Sequence, residues 1–373
     1  MIPRKIEQLL LDRLFKKKVI ILLGARQTGK TTLLKNLLKN QENYVWLNAD
    51  ESDIQRAFEE PNAIKLKNAI GNATLVCIDE AQRIKNIGIV LKILYDTYPD
   101  IQVIATGSSA FELANKVNEP LTGRKFEFEL FPISTAELVN QLGELTESRN
   151  LEHRLVYGFY PEVINNFGNE REVLKLLSDS YLYKDILLWQ NIKKPEKLIL
   201  LLQALAHQMG QQVSFNELAN TIGLDAKTVE IYIQLLEKSF VIFRLPSYSK
   251  NLRNELKFSR KIYFYDNGIR NSILSNFQLA SSRTDIGALW ENYLISERKK
   301  RNTYNNYFIQ SYFWRTKEQQ EIDYLEEIDG KLSAFEFKWS KTSKAKIPLT
   351  FSKNYPDAIS KIITPDNYLE FVI

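Results

Sequence analysis

The architecture of this chain follows from one segment, Val19-Ile20-Ile21-Leu22-Leu23-Gly24-Ala25-Arg26-Gln27-Thr28-Gly29-Lys30-Thr31-Thr32. Its first five residues are apolar and mostly β-branched, which is typical of a buried strand in a parallel sheet. A loop of the form G-x-x-x-x-G-K-T follows, and leucines then recur at helical spacing, at Leu33, Leu34, Leu37 and Leu38. A strand before such a loop and a helix after it distinguish a P-loop from a chance glycine-rich turn. The segment therefore predicts a nucleoside triphosphate site.

The spacing within this loop has a chemical reason. Small residues let backbone N–H groups close on phosphate oxygens at the positive end of the following helix. Lys30 would reach the β- and γ-phosphates, and the Thr31 hydroxyl would hold Mg²⁺. ATP and Mg²⁺ are therefore the expected cofactors. The residues expected to surround the phosphates are Gly24, Ala25, Arg26, Gln27, Thr28, Gly29, Lys30, Thr31 and Thr32.

A second apolar strand ends in two acids, in the run Leu75-Val76-Cys77-Ile78-Asp79-Glu80. This pattern resembles a Walker B strand when it follows a P-loop. Asp79 would act on the Mg²⁺ ion and its water shell, and Glu80 would orient and deprotonate the attacking water. A third apolar strand, Ile101 to Ala105, leads into Thr106-Gly107-Ser108-Ser109.

The hydroxyl residues after the third strand have two interpretations. The strand between the P-loop and Walker B strands of such enzymes ends in a polar residue beside the γ-phosphate, and Thr106 is the first choice for this sensor, with Ser108 the second. Alternatively, Ser108 and Ser109 cap a helix that begins near Ala110.

Arg124 ends the run Leu121-Thr122-Gly123-Arg124, just before an alternating edge strand from Phe126 to Leu130. An arginine here would reach a γ-phosphate in its own subunit or in a neighbour's and stabilise the transition state. A surface arginine is the alternative. The predicted catalytic set is Glu80, Lys30, Thr106 and Arg124.

Composition narrows the class of protein. A chain of 373 residues with 44% apolar residues is globular and long enough for two or three domains. One cysteine, Cys77, excludes an intrachain disulfide and fits a reducing compartment. Two distant histidines, His153 and His207, argue against a histidine-rich metal site or a Ser-His-Asp triad. No apolar run reaches the roughly 20 residues that span a bilayer, so we expect a cytoplasmic protein with no membrane partner.

Three later motifs join those above: Gly158-Phe159-Tyr160-Pro161-Glu162, Lys261-Ile262-Tyr263-Phe264-Tyr265-Asp266 and Glu336-Phe337-Lys338. With Gly24 to Leu33, Ile78 to Gln82, Thr106 to Ser109 and Leu121 to Arg124, they make the chain similar to a family of prokaryotic AAA-type P-loop ATPases. Members of that family carry a C-terminal domain of unknown function with a restriction-nuclease-like core. The resemblance spans nearly the whole chain and implies ATP binding and a three-part layout, but it supplies no substrate.

The expected fold class is α/β, with an AAA-type P-loop NTPase core in residues 1–135 and a helical lid in 136–195. Gly158 to Pro161 must interrupt the lid helices. Residues 196–250 are predicted to form a winged-helix-like module, in which Ser214 and Asp225 cap successive helices. The exposed face of its second helix mixes charges, so contact with DNA and contact with protein both stay open. Residues 251–373 would form the restriction-nuclease-like α/β domain.

Four residues of this last domain form a candidate nuclease site: Glu291, Asp323, Glu336 and Lys338. Glu336 and Lys338 alternate along one strand and therefore project to the same side. The carboxylates would hold Mg²⁺, and the lysine would position or deprotonate a water. A cross-strand Glu–Lys ion pair on a solvated face is the alternative.

The chain carries a net charge of +5. The segment from Ser247 to Arg301 holds eleven Lys and Arg against five Asp and Glu, which exceeds that whole surplus. A solvated face and a basic surface for nucleic acid both explain such a run.

Three functions remain open from the sequence. The first is an Mg²⁺-dependent ATPase that moves its C-terminal half on DNA or on a protein partner. The second is an ATP-gated, metal-dependent DNA endonuclease, and the third is a non-hydrolysing adaptor that binds ATP to fix a partner or a second copy of itself.

Overall fold

The computed structural model describes residues 2–108, 117–118, 120–179, 192, 194–249, 260–340 and 346–373. The chain divides into two compact units. The first comprises residues 1–132 with 238–240, and the second comprises residues 133–237 with 241–373. No helix in the described ranges is long and apolar enough to cross a membrane.

A five-stranded parallel sheet forms the centre of the first unit, in the order β2-β3-β4-β1-β5. Its strands are β1 (Val19–Leu23), β2 (Tyr44–Asn48), β3 (Leu75–Asp79), β4 (Gln102–Gly107) and β5 (Lys125–Glu129). The helices described in this unit are α1 (Ile6–Leu11), α2 (Lys30–Leu38), α3 (Ser52–Ala57), α4 (Ala63–Ile70) and α5 (Ile87–Thr97). This parallel α/β core confirms the predicted fold class.

The sequence pattern explains the strand order. Every residue of β1, β3 and β4 is buried, as expected for central strands covered on both faces. β5 has no fully buried residue and lies at the edge, as its alternating pattern predicts. Because all five strands are parallel, their carboxyl ends meet at one edge of the sheet. Gly24, Asp79 and Gly107 are therefore brought to the same edge.

The second unit begins with short helices: α6 (Thr135–Leu142), α7 (Glu144–Arg149), α8 (Leu151–Tyr157), α9 (Pro161–Asn165) and α10 (Glu170–Leu177). The next segment contains α11 (Pro195–His207), β6 (Gln212–Val213), α12 (Phe215–Ile222), α13 (Ala226–Lys238), β7 (Ile242–Pro246) and β8 (Arg260–Phe264). β6, β8 and β7 form a small antiparallel sheet with β8 in the middle. Ser214 and Asp225 accept hydrogen bonds from the first turns of α12 and α13, as predicted. The winged-helix interpretation itself stays a prediction.

The remaining elements of this unit are α14 (Asn267–Ile273), α15 (Ile286–Tyr304), β9 (Gln310–Arg315), β10 (Glu321–Ile328), β11 (Lys331–Phe337), α16 (Leu349–Asn354), β12 (Ile359–Ile363) and α17 (Tyr368–Val372). The strands form a sheet in the order β12-β11-β10-β9, in which only the β11–β12 pair is parallel. An extra C-terminal sheet domain is therefore present.

Two of the motifs that are distant in sequence meet in this unit. The carboxylate of Asp266 accepts a hydrogen bond from the Phe159 N–H, 2.6 Å away. Gly158 has φ +73°, and a Cβ added there would lie 2.1 Å from an Asp266 oxygen. No other residue fits this position without displacing the carboxylate. The buried carboxylate of Asp266 therefore packs against the backbone at the predicted helix break.

The described part of the basic segment, from Arg260 to Arg301, is not the solvated face that the sequence left open. None of the described Lys and Arg residues from Arg260 to Arg301 is exposed, and four are buried: Lys261, Arg270, Arg283 and Lys300. Each of these four pairs with a carboxylate. Charged side chains are buried when they are paired, so much of this surplus of charge stabilises the interior. The basic residues at 250, 253 and 257 lie outside the described residues.

Candidate functional site

The P-loop backbone is shaped by two glycines. A Cβ on Gly24 would lie 2.2 Å from the Leu130 carbonyl oxygen, so only glycine permits the chain after β5 to pass the loop so closely. Gly29 has φ +95° and Gln27 has φ +57°. These left-handed residues wind the loop before α2 begins. Turns that contain left-handed residues are where successive backbone N–H groups form nests for anions.

Lys30 is buried, and its ammonium lies over the loop. It donates to the Gly24 carbonyl at 2.8 Å and to the Ala25 carbonyl at 2.9 Å. The Thr28 hydroxyl donates to the same Ala25 carbonyl at 2.8 Å. The lysine is therefore held where the phosphates of a nucleotide would lie.

Asp79, at the end of β3, contacts residues that follow β1 and that lie near the end of β4. It is buried, its Oδ2 accepts the Thr31 hydroxyl at 2.8 Å and its Oδ1 accepts the Thr106 hydroxyl at 2.5 Å. The Thr31 hydroxyl and the Asp79 carboxylate are hard oxygen donors, which suit Mg²⁺. The two residues predicted to hold this ion are thus in direct contact, and their chemistry fits it.

Glu80 follows Asp79 with a left-handed backbone, at φ +53°. Its N–H donates to the Thr106 hydroxyl at 3.1 Å. Its Oε2 accepts the Gln82 amide at 2.5 Å and the Ser108 hydroxyl at 3.3 Å. Thr106 and Ser108, the two candidates for the sensor, therefore both contact the acidic pair.

The burial of Thr106 changes its expected role. Its side chain is fully buried, and its hydroxyl is engaged by Asp79 and by the Glu80 N–H. A hydroxyl enclosed in this way is placed to position the two acids, and its contact with a γ-phosphate stays a prediction. Ser108 is only half-buried, so it retains the better access. Ser109 and the helix expected near Ala110 lie outside the described residues.

The other predicted loop residues differ in their exposure. Ala25 and Thr28 are buried, and Arg26 is half-buried. Gln27 and Thr32 are exposed. Of the residues predicted to surround the phosphates, Gln27 and Thr32 are therefore held least by packing against the rest of the protein.

Arg124 does not reach the P-loop of its own subunit. Its carbonyl accepts the Val19 N–H, so it lies beside the start of β1, at the opposite end of the sheet from Gly24. Five strand residues at about 3.3 Å each separate the two ends by roughly 16 Å. The guanidinium instead pairs with Asp96 at 3.1 Å. Of the two roles left open by the sequence, the role in cis is contradicted, because Arg124 lies at the end of the sheet away from the P-loop. The sequence does not show at which end it lies, and a role in trans stays a prediction.

Sequence reasoning missed Arg4. Its guanidinium donates to the Thr28 carbonyl at 2.7 Å and to the Phe131 carbonyl at 2.6 Å. It therefore ties the P-loop to the segment that follows β5. An isolated arginine near the N-terminus carries no motif that predicts this contact.

The four residues of the candidate nuclease site lie close together in the second unit. Lys338 donates to Glu336 at 2.8 Å, and Asp323 accepts the Phe337 N–H at 2.8 Å. Burial raises the pKa of the Asp323 carboxyl, and the nearby carboxylates of Glu291 and Glu336 raise this pKa further. The projection of Glu336 and Lys338 to one side is confirmed.

The Glu291 carboxylate is bound by Lys261, a residue that was not part of the predicted site. Lys261 donates to Glu291 at 3.1 Å and to Glu321 at 2.6 Å, and the Tyr263 hydroxyl donates to Glu291 at 2.5 Å. Burial alone would lower the pKa of Lys261, but the Glu291 and Glu321 carboxylates outweigh it and raise this pKa. Among the described residues, no three His, Cys, Asp or Glu side chains are placed to hold a metal ion. The Mg²⁺ implied by the nuclease resemblance would have to share Glu291 with the Lys261 ammonium.

Comparisons with known proteins agree with the first of these two sites. Residues 16–139 match the family model of an AAA domain. Residues 148–280 and 286–367 match two domains of unknown function (DUF8612 and DUF4143). The Walker-type ATPase PABY2304 of Pyrococcus abyssi is similar in structure, with a TM-score of 0.51 and 17% identity over 74% of this chain and 96% of that one. The chain thus contains an AAA-type P-loop ATPase domain.

Its relatives in sequence add no activity. The uncharacterized protein Rv2008c of Mycobacterium tuberculosis is 26% identical over 336 residues, which cover 88% of this chain and 72% of the relative. The uncharacterized protein MJ1544 of Methanocaldococcus jannaschii is 22% identical over 335 residues, covering 84% and 73%. The similarity therefore extends well beyond the ATPase domain, into parts whose role has to be inferred from their residues.

Proposed function

We propose that this chain is an Mg²⁺-dependent ATPase. The observation that carries the proposal is the contact of Asp79 with Thr31 and Thr106, directly beside Glu80. It brings the end of the P-loop, the predicted ion ligand and the predicted base to one edge of the sheet. An anion nest beside an acidic pair is the arrangement that phosphoryl transfer to water requires.

Each residue of the site has a separate task in this proposal. The backbone from Gly24 to Gly29 binds the phosphates, and Lys30 neutralises charge on them. Bound Mg²⁺ would neutralise the charge that develops on the β- and γ-oxygens. Thr31 and Asp79 would hold that ion.

Glu80 would orient the attacking water and accept its proton. Among the described residues, the side-chain hydrogen bonds to this carboxylate come from Gln82 and Ser108 and reach Oε2. They hold the carboxylate in place, and Oε1 would receive the proton. A base within hydrogen-bond reach of its water accelerates such steps by about 10² to 10⁴.

We further propose that nucleotide state is transmitted to the C-terminal half, which engages DNA or a protein partner. The support is that the residues leading into the second unit contact the P-loop directly. The Leu130 N–H donates to the Leu23 carbonyl at 2.7 Å, and the Leu130 carbonyl lies against Gly24. Arg4 binds the P-loop at Thr28 and the next residue, Phe131, at once. A shift of the loop would therefore move the backbone that leads into the second unit.

A turnover assay tests the proposal. We expect Glu80→Gln to lower phosphate release from ATP at least 100-fold while nucleotide binding is kept, because only the base is removed. Glu59→Gln, an exposed acid of the same unit, is the matched control and should keep wild-type turnover. Full turnover in Glu80→Gln would refute the assignment of the base. Background hydrolysis in the wild type, with and without DNA, would favour the non-hydrolysing adaptor.

The same assay separates the two classes of partner. Stimulation of wild-type turnover by duplex or single-stranded DNA would favour DNA, and its absence would favour a protein. The endonuclease alternative stays a prediction. The Asp323, Glu336 and Lys338 arrangement speaks for it, and the position of Lys261 speaks against it.

A further inference from the structure

The candidate nuclease cluster contains a fixed cation. Lys261 is 2% exposed, and its ammonium lies between Glu291 and Glu321, at 3.1 and 2.6 Å. The same nitrogen lies 5.4 Å from the centre of the Phe313 ring. This lysine is therefore enclosed on several sides, unlike a surface lysine that reaches a carboxylate by chance.

The backbone gives Lys261 little freedom to leave. It belongs to β8, the central strand of its small sheet, and pairs with Gln212 on one side and Leu245 on the other. Its carboxylate partners come from other elements, α15 and β10. The ammonium thus joins three parts of the unit at one point.

The charges of the cluster depend on this ammonium. Four carboxylates are grouped here, and three cationic side chains pair with three of them, all but Asp323. The carboxylates are Glu291, Glu321, Asp323 and Glu336, and the cations are Lys261, Arg315 and Lys338. Without Lys261, four acids would face two cations. Buried like charges are costly unless a cation compensates them.

Several carboxylate oxygens are committed to protein donors, whereas Glu336 Oε2 is buried without a hydrogen-bond partner among the described residues. A single oxygen of Glu291, Oε1, accepts both Lys261 and the Tyr263 hydroxyl. Asp323 Oδ2 accepts a backbone N–H from Phe337. A divalent cation needs several such oxygens directed at one point. Here Glu291 Oε1 and Asp323 Oδ2 are directed at protein donors, and the single buried oxygen of Glu336 without a partner does not replace them.

We propose that the Lys261 ammonium takes the place of the divalent cation in this cluster. The chain then holds no Mg²⁺ at Glu291 and Asp323, and neutralising Lys261 creates a divalent-cation site there. This inference goes beyond the ATPase proposal and concerns a separate site. The adjoining cavity, of about 660 Å³ and lined by Gly210, Gln212, Lys261, Arg315 and Glu321 among others, then borders an ammonium and not a metal ion.

Mn²⁺ binding to the full chain, counted by electron paramagnetic resonance of the free ion without nucleotide, tests the proposal. We expect Lys261→Met to gain one Mn²⁺ site at least tenfold tighter than anything wild type shows in this cluster. Adding Asp323→Asn to that variant should remove the new site. Lys299→Met, which removes an ammonium that pairs with no carboxylate among the described residues, should gain nothing. Any Mn²⁺ bound near Asp79 is present in wild type and in every variant, so it does not affect the comparison between them.

Two results would overturn the inference. One is a folded Lys261→Met variant, with a cooperative thermal transition, that gains no Mn²⁺ site. The other needs no Lys261 variant: a Mn²⁺ ion bound by wild type and lost in the single variant Asp323→Asn would show that the cluster already holds a cation beside the lysine. The second comparison decides the matter even if Lys261→Met does not fold.

Discussion

Replacing Thr106 by valine removes one hydroxyl and keeps the shape of the side chain. That hydroxyl donates to the Asp79 carboxylate at 2.5 Å and accepts the Glu80 N–H at 3.1 Å. A hydrogen bond to a charged group contributes about 1.5–3 kcal/mol. If the transition state loses that whole amount, turnover falls about 10- to 150-fold, since about 1.4 kcal/mol is a factor of ten. Thr106→Ser keeps the hydroxyl and should stay within about threefold of wild type.

The assay is steady-state phosphate release at saturating ATP, beside the Kd for a fluorescent ATP analogue. Because Thr106 is fully buried, we expect the valine variant to bind nucleotide while it hydrolyses it slowly. A thermal unfolding curve checks that the variant is folded. Wild-type turnover in a folded Thr106→Val protein would refute the positioning role.

Three further outcomes follow from the contacts of single residues. Gly24→Ala places a Cβ 2.2 Å from a backbone oxygen, so ATP affinity should fall at least tenfold; an unchanged Kd contradicts this. Asp285→Asn leaves Arg270 and Arg283 buried without their carboxylate and should cost about 3–5 kcal/mol in urea unfolding at pH 7. Burial opposes ionisation of Asp285, but both arginines outweigh it and lower its pKa. This stability is present above the ordinary pKa, near 3.9, and is lost as pH falls through the lowered pKa, so a difference between wild type and variant that does not shrink as the pH is lowered below about 3.9 contradicts it. Arg124→Ala should leave turnover of the dilute monomer within twofold, whereas a large loss there would restore a role in cis.

The ATPase core could be predicted because its signals are local. Val19 to Leu23 is apolar throughout, and the loop and helix that follow take their form from adjacent residues. Asp79 and Glu80 end a strand of the same kind. Parallel strands bring such ends together without any knowledge of side-chain contacts, which is why Thr31 and Asp79 meet as expected.

The remaining features depend on contacts between distant residues. Lys261 pairs with acids 30 and 60 positions away, so its motif indicated only a strand. A count of charges does not distinguish an exposed lysine from a buried one, so it could not show that Lys261 and Lys300 are buried. Similarly, Arg4 shows its role only when the Thr28 and Phe131 carbonyls are placed beside it.

Calorimetric titration of the purified chain with ATP and Mg²⁺ tests the central claim most directly. The account predicts saturable binding of one nucleotide per chain, weakened at least 100-fold in Lys30→Ala and unchanged in Lys35→Ala, a lysine of the same helix whose ammonium lies over the Trp46 ring. Absence of saturable binding in wild type, or equal binding in Lys30→Ala, would contradict it.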